Sequence, residues 1–499
     1  MTDVHTEIEQ KYDVSPPFVL PALDTAIPGA TDAETEVVHL EAIYFDTADL
    51  RLAQRRITLR RRTGGADQGW HLKLPVGRGE RTELHEPWTD ELTVPEALSR
   101  LVAATTRAAD LAPVVRLTTT RTALRLRDSD GQVLVEVADD AVTGQKLGEV
   151  LEISTWREIE VELVQGERSQ LDQVGSVLVA AGAQPSGSGS KLARTLGVSG
   201  RPDKVDLTGK KTTAADLVLA YLRKQQNALL STDPAVRLDR PDAVHRMRVA
   251  SRRLRSALKT FDPLFTGDQH LALEEALARL ADVLGHERDA EVLLDRMRSA
   301  LDGLPVELVM GAVRHDVESW MGDTYFAAKR DARNYLESAD YIELLEHLDA
   351  FLAAPPLSDR AAGRAGKVAA ALVDKTIVKV RHKGRIALAT EAGLHRDLAL
   401  HAARRAAKRS RYAADVYAAH DAKAAEAVSE QMAQLQETLG DRHDGAVMAL
   451  LLRDFAARTG AAGGNGFTYG YLLAREEMRG LDAERYFAAA LRKLKRLGR

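Results

Sequence analysis

Three charged side chains open the chain at intervals of two: Glu7, Glu9 and Lys11, in HTEIEQKYDV at 5–14. In an extended strand alternate residues share a face. Two carboxylates and an ammonium would then line one side, with Ile8 and Tyr12 on the other. The pattern recurs. Arg60 shares a face with Arg62, Glu158 with Glu160 and Glu162, and Glu136 with Ala138 and Asp140. Lys73 lies in HLKLP, Arg81 and Glu83 in RTELHEP, and Arg121 opens RTALRLR. On a single strand such charges read as a solvated outer face. Across most strands of a barrel that reading weakens, because alternate residues must point inward. Charge inside a barrel needs mutual neutralisation, since unpaired buried charge is very costly. Carboxylates, hard divalent cations and a phosphorylated ligand held by Arg and Lys balance one another. Mg2+ and Mn2+ favour oxygen ligands and substrate phosphates. The chemistry this composition suits is that of a metal–oligophosphate complex.

A second constellation lies far downstream. HRMRVASRRLRSAL at 245–258 and HAARRAAKRSRYAA at 401–414 place basic residues at equal offsets from a histidine. Arg248 matches Arg404, Arg252 matches Lys408, Arg253 matches Arg409, and Arg255 matches Arg411. LGHERDAEV at 284–292 and LGDRHDGAV at 439–447 follow in step, with Asp289 matching Asp444. This is one helical unit written twice. On a helix, His245, Arg248, Arg252 and Arg255 fall within an arc of about 80°, with Met247, Leu254, Leu258 and Phe261 on the opposite, core-facing side. The second stripe is His401, Arg404, Lys408 and Arg411. Like charges stacked at this spacing repel, and no acidic residue is interleaved in either copy. The pattern predicts a groove for a long polyanion, either polyphosphate or nucleic acid. Tyr412 apart, the stripes lack aromatics for base stacking. Arg forks and Lys point charges suit bare phosphate oxygens.

Two kinds of element must position these residues. Residues 1–200 are β-rich, with short alternating segments at 37–47, 57–62, 70–76, 81–88, 120–127, 132–140 and 156–164 besides the opening strand. Turn signals such as RTGGADQG and DSDG separate them. About eight strands suit a closed antiparallel barrel with a ligand-holding interior. Residues 169–182 have helical periodicity, and the Gly/Ser/Lys-rich stretch 184–211 reads as loop and linker. From 213 to 499 the texture is Ala/Leu/Arg-rich and helical. The expected class is therefore α+β in two domains, an N-terminal eight-stranded antiparallel barrel over 1–200 and a duplicated all-α bundle over 213–499. Of 499 residues none is cysteine, which excludes disulfides, thiolate metal sites and cysteine nucleophiles. A net charge of −4 means that anion binding must come from local clusters. The charged opening residues do not read as a signal peptide. No run of about 18 apolar residues suggests a membrane span. The expected location is cytoplasmic.

Residues 1 to about 200 resemble the CYTH domain, the triphosphate tunnel metalloenzyme family. The resemblance rests on EIEQK, YFDT with ITLRRR, WHLKLP, RTELHEP, VEVADD, REIEVEL and SKLAR in that order. Residues from about 213 to 499 resemble the CHAD domain, through the two basic helices and the LGxxxD segment after each. The first resemblance implies metal-side carboxylates at Glu7, Glu9, Asp140, Glu158 and Glu160. It implies a phosphate-binding set of Arg60, Arg62, Lys73, Arg121, Lys191 and Arg194, with Lys11 and Glu83 as catalytic candidates. Asp140 is chosen over Asp139 by strand parity, and Arg125 competes with Arg121. The implied activity is Mg2+- or Mn2+-dependent hydrolysis of a triphosphate, with inorganic triphosphate favoured. The CHAD resemblance implies binding of inorganic polyphosphate and a place near polyphosphate granules. A non-catalytic granule adaptor is the alternative, ahead of adenylate cyclase or thiamine triphosphatase. Nucleic acid and membranes are disfavoured as partners.

Overall fold

The alternation along residues 1–200 becomes eight long strands in the computed structural model, which describes residues 3–23, 26–28, 30–32, 35–77, 79–148, 152–198, 206–391 and 393–494. The strands are β1 Asp3–Val14, β2 Glu36–Asp46, β3 Thr58–Thr63, β4 Gly69–Gly77, β5 Glu80–Glu86, β6 Ala112–Arg127, β7 Val133–Lys146 and β8 Glu152–Leu163. All neighbours are antiparallel, in the order β1-β5-β4-β3-β2-β6-β7-β8. The barrel closes because β1 pairs twice, its first half with β5 and its second half with β8, from Glu9↔Glu162 to Val14↔Arg157. Two-residue strands at Thr31–Asp32 and Gln184–Pro185 add to β6 and β1.

Three strands run longer than their sequence alternation indicates. β6 begins at 112 instead of 120, β7 continues to 146 instead of 140, and β8 begins at 152 instead of 156. In these extensions the threonine run Thr118–Thr120 pairs with Ala141–Thr143. The partner's backbone ladder supplies the order that side-chain alternation does not signal.

The barrel is inverted relative to an ordinary core. One apolar set faces outward: Tyr12, Leu124, Val137, Ile159 and Val161 are buried beneath α3 (Arg168–Ala180) and its Leu171, Val174 and Leu178. A second set, Ala42, Val115, Leu117 and Val142, has inward parity and packs against Leu192. Burying such side chains contributes about 1.5–3 kcal/mol each, so these two clusters supply stability and leave the rest of the interior for charge. Gly175 of α3 permits this packing, because a Cβ there would lie 2.0 Å from the Tyr12 hydroxyl. Two further helices, α1 (Arg51–Gln54) and α2 (Glu96–Thr106), lie between strands. Buried Asp46 accepts the Leu52 and Ala53 amides of α1 at 2.8 and 2.9 Å. The stretch read as linker contains α4 (Lys191–Leu196), started by Ser190, whose hydroxyl accepts from the Ala193 amide, and stopped at left-handed Gly197. Those two local signals outweigh the Gly/Ser content around them.

The chain divides into compact units at Met1–Lys204 and Val205–Arg499. The second is helical: α5 Ala214–Arg237, α6 Ala243–Thr260, α7 Gln269–Asp302, α8 Val313–Leu336, α9 Ala339–Ala353, α10 Ala365–Ala389, α11 Leu394–Tyr417, α12 Ala422–Ala461 and α13 Phe467–Lys493. The basic segments lie within α6 and α11, and the LGxxxD segments within α7 and α12. Met247, Leu254, Leu258 and Phe261 are all buried, as the periodicity of the first copy predicts. The side chain of Asp444 lies outside the described residues. No helix among the described residues is long and apolar enough to cross a membrane.

Candidate functional site

The barrel encloses a cavity of about 280 Å³. Among the described residues its lining carries eight carboxylates, Glu7, Glu9, Glu36, Asp67, Glu83, Glu136, Glu160 and Glu162. Against them stand eight cations, Lys11, Arg60, Arg62, Lys73, Arg81, Arg121, Arg125 and Lys191. Strand register brings the two signs together: Glu7 lies opposite Arg81, Lys73 opposite Glu83, and Lys11 opposite Glu160. Lys73 Nζ stands 2.5 Å from Glu7 and 3.3 Å from Glu83. Lys11 Nζ is 3.0 Å from Glu9 and pairs with Glu160. Arg121 donates to both oxygens of Asp140 at 2.8 and 2.7 Å and to Glu160 at 2.7 Å. Lys191, delivered by α4, reaches Asp140, Glu158 and Glu160 at 2.9, 2.8 and 2.7 Å.

These pairings set the protonation states. Burial alone would lower the Lys11 and Lys191 ammonium groups, but Glu160 and its neighbours outweigh it and raise both. Burial opposes ionisation of Glu83, yet His71, Lys73 and Arg60 hold it well below the usual carboxylate range. Arg62 is pulled down to about 9 by burial and by Arg60 and Arg121. Asp67, from the loop between β3 and β4, pairs with its guanidinium. His71 ties that loop down, with Nδ1 2.9 Å from Glu83 and Nε2 2.9 Å from the Asp67 carbonyl oxygen. Glu162 moves the other way, pushed up to about 7 by burial and by the carboxylates Glu7, Glu9 and Glu160.

The structure brings Glu7, Glu9, Glu160, Lys11, Glu83, Arg60, Arg62, Lys73, Arg121 and Lys191 to the cavity. It does not bring Asp140, Glu158 or Arg194. Asp140 is fully buried and saturated by Arg121 and Lys191. Glu158 sits behind Lys191, accepting from Trp156 Nε1 at 2.6 Å. Arg194 pairs with Asp13 and packs 5.0 Å over the Trp156 ring. Asp140 and Glu158 therefore hold Lys191 and Arg121 in place instead of facing a ligand. Arg125, the competitor of Arg121, lines the cavity with it, and Glu162, Glu136, Arg81, Glu36, Asp67 and Tyr44 also line it, beyond the residues the family resemblance implies. Glu162 shares the parity of Glu160, and its register opposite Glu9 and Glu136 puts it on the cavity.

The acidic side suits a hard divalent cation. Glu7 Oε2 is buried without a hydrogen-bond partner. Glu162 is raised first by burial and then by the carboxylates Glu7, Glu9 and Glu160. No group of three His, Asp or Glu side chains among the described residues could hold an ion alone. A cation such as Mg2+ binds through one or two carboxylates plus waters and substrate phosphates, and Glu7 Oε2 is a carboxylate oxygen left open for such a role.

In the helical unit, Arg248 gives both Nη groups to Asp289 at 2.8 and 3.2 Å. Burial and the nearby Arg248 and Arg404 guanidinium groups pull Arg252 below its ordinary value. Burial and Arg288, Arg248 and Arg252 do the same to His245. Arg255 and Lys259 share Glu274 at 3.5 and 2.5 Å. Arg409, held below its ordinary value by burial, faces the same Glu274 and Arg255. Arg253 turns toward α11, 3.7 Å from Asp415 and 5.9 Å over the Tyr412 ring, which Arg411 approaches from 5.8 Å. Arg253 is thus a brace between helices. Half-buried His401, Arg404 and Lys408 lie along α11. Arg404 of α11 stands near enough to Arg252 of α6 to lower it, so the two basic stripes meet.

The CYTH domain profile matches residues 5–196 and the CHAD domain profile residues 220–453. The chain is 37% identical to the uncharacterized protein Rv2226 of Mycobacterium tuberculosis, over 98% of this chain and 96% of that one. Among solved structures, PptA from Streptomyces chartreusis is similar at 20% identity and TM-score 0.47, covering 56% of this chain and 99% of its own. The CHAD domain of the plant Ricinus communis is similar at 27% identity and TM-score 0.46, covering 57% and 93%.

Proposed function

Because the chain belongs to the family in which a CYTH domain is followed by a CHAD domain, we propose that its barrel hydrolyses the terminal phosphoanhydride of inorganic triphosphate. The observation that carries this reading is the cavity of matched charge. Its cations are spread along the walls, as a chain of phosphates requires, and Glu7 Oε2 is a buried carboxylate oxygen without a hydrogen-bond partner. Tyr44 is the one aromatic side chain among the described lining residues, so a nucleotide base would find little to stack on. That favours an inorganic chain over a nucleotide.

One or two of the carboxylates Glu7, Glu9, Glu160 and Glu162, with water and the substrate's phosphate oxygens, would hold Mg2+ or Mn2+. The chemistry such an ion supplies is charge neutralisation across phosphate oxygens and a bound water of lowered pKa. The remaining work falls to the chain. Arg60, Arg62, Lys73, Arg81 and Arg121 hold the phosphates in line and offset charge in the transition state. Lys11 keeps its proton, so its part is that of a fixed cation between Glu9 and Glu160. Glu83 stays ionised and aims Lys73. The helical unit binds inorganic polyphosphate along α6 and α11, which would raise the local concentration of phosphate chains.

Phosphate release from triphosphate, measured with Mg2+, Mn2+ or EDTA, tests the barrel. The double substitution Glu7→Gln, Glu9→Gln is expected to abolish metal-dependent release. Near-normal turnover in that variant would overturn the assignment.

A further inference from the structure

The LGxxxD segments after the two basic helices have no part in the function proposed above. In α7 the leucine of the segment, Leu284, is buried in the core. Gly285 follows directly beneath the guanidinium of Arg248. A Cβ there would stand 3.3 Å from Nη2 and 3.6 Å from the guanidinium carbon and Nε. One turn further on, Asp289 takes both Nη groups. Glycine inside a helix is destabilising relative to alanine, and here its missing side chain lets the planar group lie against the α7 backbone. The solvent exposure of the pair is lopsided. The Arg248 side chain is 12% exposed and that of Asp289 64%. A carboxylate so open to water has no need of a partner, whereas the buried cation is fixed by having one.

We infer that Gly285 and Asp289 are positioning residues of the polyanion groove. They clamp the Arg248 guanidinium flat on α7, with its unused N–H groups and the neighbouring Arg252 forming a rigid row of donors for phosphate oxygens. The clamp accounts for each residue type in the motif. Leu anchors the helix, Gly admits the guanidinium, and Asp one turn on holds it. Gly440 and Asp444 repeat the pair in the second copy. The inference rests on polyphosphate being the ligand of this unit.

The sign of one substitution separates positioning from plain electrostatics. Deleting a carboxylate beside a basic groove should tighten polyanion binding if charge alone counts. If Asp289 positions Arg248, its loss weakens binding. The experiment measures the affinity of the full chain for long-chain inorganic polyphosphate at fixed salt, with folding checked by circular dichroism. Asp289→Asn is expected to weaken binding about fivefold, roughly the worth of one charge-assisted phosphate contact. In an Arg248→Ala background the same change should not weaken it. Gly285→Ala, which helix propensity alone favours, is expected to weaken binding without lowering thermal stability. Tighter or unchanged binding in Asp289→Asn overturns the positioning role, as does an equal loss in both backgrounds. Absence of wild-type binding instead overturns the polyphosphate reading beneath it.

Discussion

Replacing Lys191 by Met tests how the charged interior is held together. The ammonium is 9% exposed and touches three carboxylates. Two of them keep strong partners without it: Asp140 retains both Arg121 bonds, and Glu160 retains Lys11 and Arg121. Glu158 does not. It is left with Trp156 Nε1 at 2.6 Å and Arg194 at 3.8 Å. Removing one member of a buried ion pair costs about 3–5 kcal/mol. The surviving indole bond places this case at the lower end. For a unit of this size that corresponds to a fall in Tm of roughly 10 °C. Tryptophan fluorescence reports the barrel, since Trp70, Trp88 and Trp156 lie in it and Trp320 alone does not. Thermal unfolding read this way should show the loss in Lys191→Met. Adding Glu158→Gln should restore most of it by removing the stranded charge. A shift below about 2 °C, an amount within the effect of an ordinary surface substitution, would refute the reasoning. So would a folded double variant with no recovery.

Two further outcomes follow from the cavity. Glu162 has a folded-state pKa of about 7, above that of an unfolded carboxyl at about 4.3. The native state therefore binds the extra proton between these values, and stability falls as pH rises from about 4.3 to about 7 and levels off above. In EDTA the barrel's Tm should fall over that window, and Glu162→Gln should abolish the dependence, while saturating Mg2+ should flatten it in the unaltered chain. A Tm that rises with pH there would contradict the assignment. Asp67 is a loop carboxylate standing on Arg62, and its side chain is 57% exposed, so the pair is worth up to about 1 kcal/mol. Asp67→Asn should lower the KM for triphosphate by up to about fivefold with kcat little changed; a raised KM in steady-state phosphate release would count against competition for Arg62.

The inward face of the barrel is legible in sequence because β1 declares it: Glu7, Glu9 and Lys11 alternate with Ile8 and Tyr12, and the same parity continues around the strands. What parity cannot convey is depth along a strand. Glu158, Glu160 and Glu162 look equivalent in sequence. Register against β1 places Glu162 opposite Glu9, on the cavity, and Glu158 opposite Asp13, behind Lys191. Parity correctly marks Asp140 as inward-facing, but what that carboxylate does depends on α4, a six-residue helix hidden in a Gly/Ser-rich stretch. In the bundle, Arg253 shares the repeat's offset with Arg409 but faces Asp415 and Tyr412, a contact set by how α6 meets α11.

The double pairing of β1 has a consequence for synthesis. Of the barrel's strands β1 is synthesised earliest and completes its pairing last, because Glu9 through Val14 await β8. At about 5–20 residues per second, the nascent chain carries its opening strand half-paired for many seconds. Contacts so distant in sequence also slow folding. Until β8 arrives, Lys11 has no Glu160 and the cavity wall is incomplete. The barrel therefore closes in one event near the end of its translation, and in a chain truncated before residue 152 Glu9 through Val14 have no β8 to pair with.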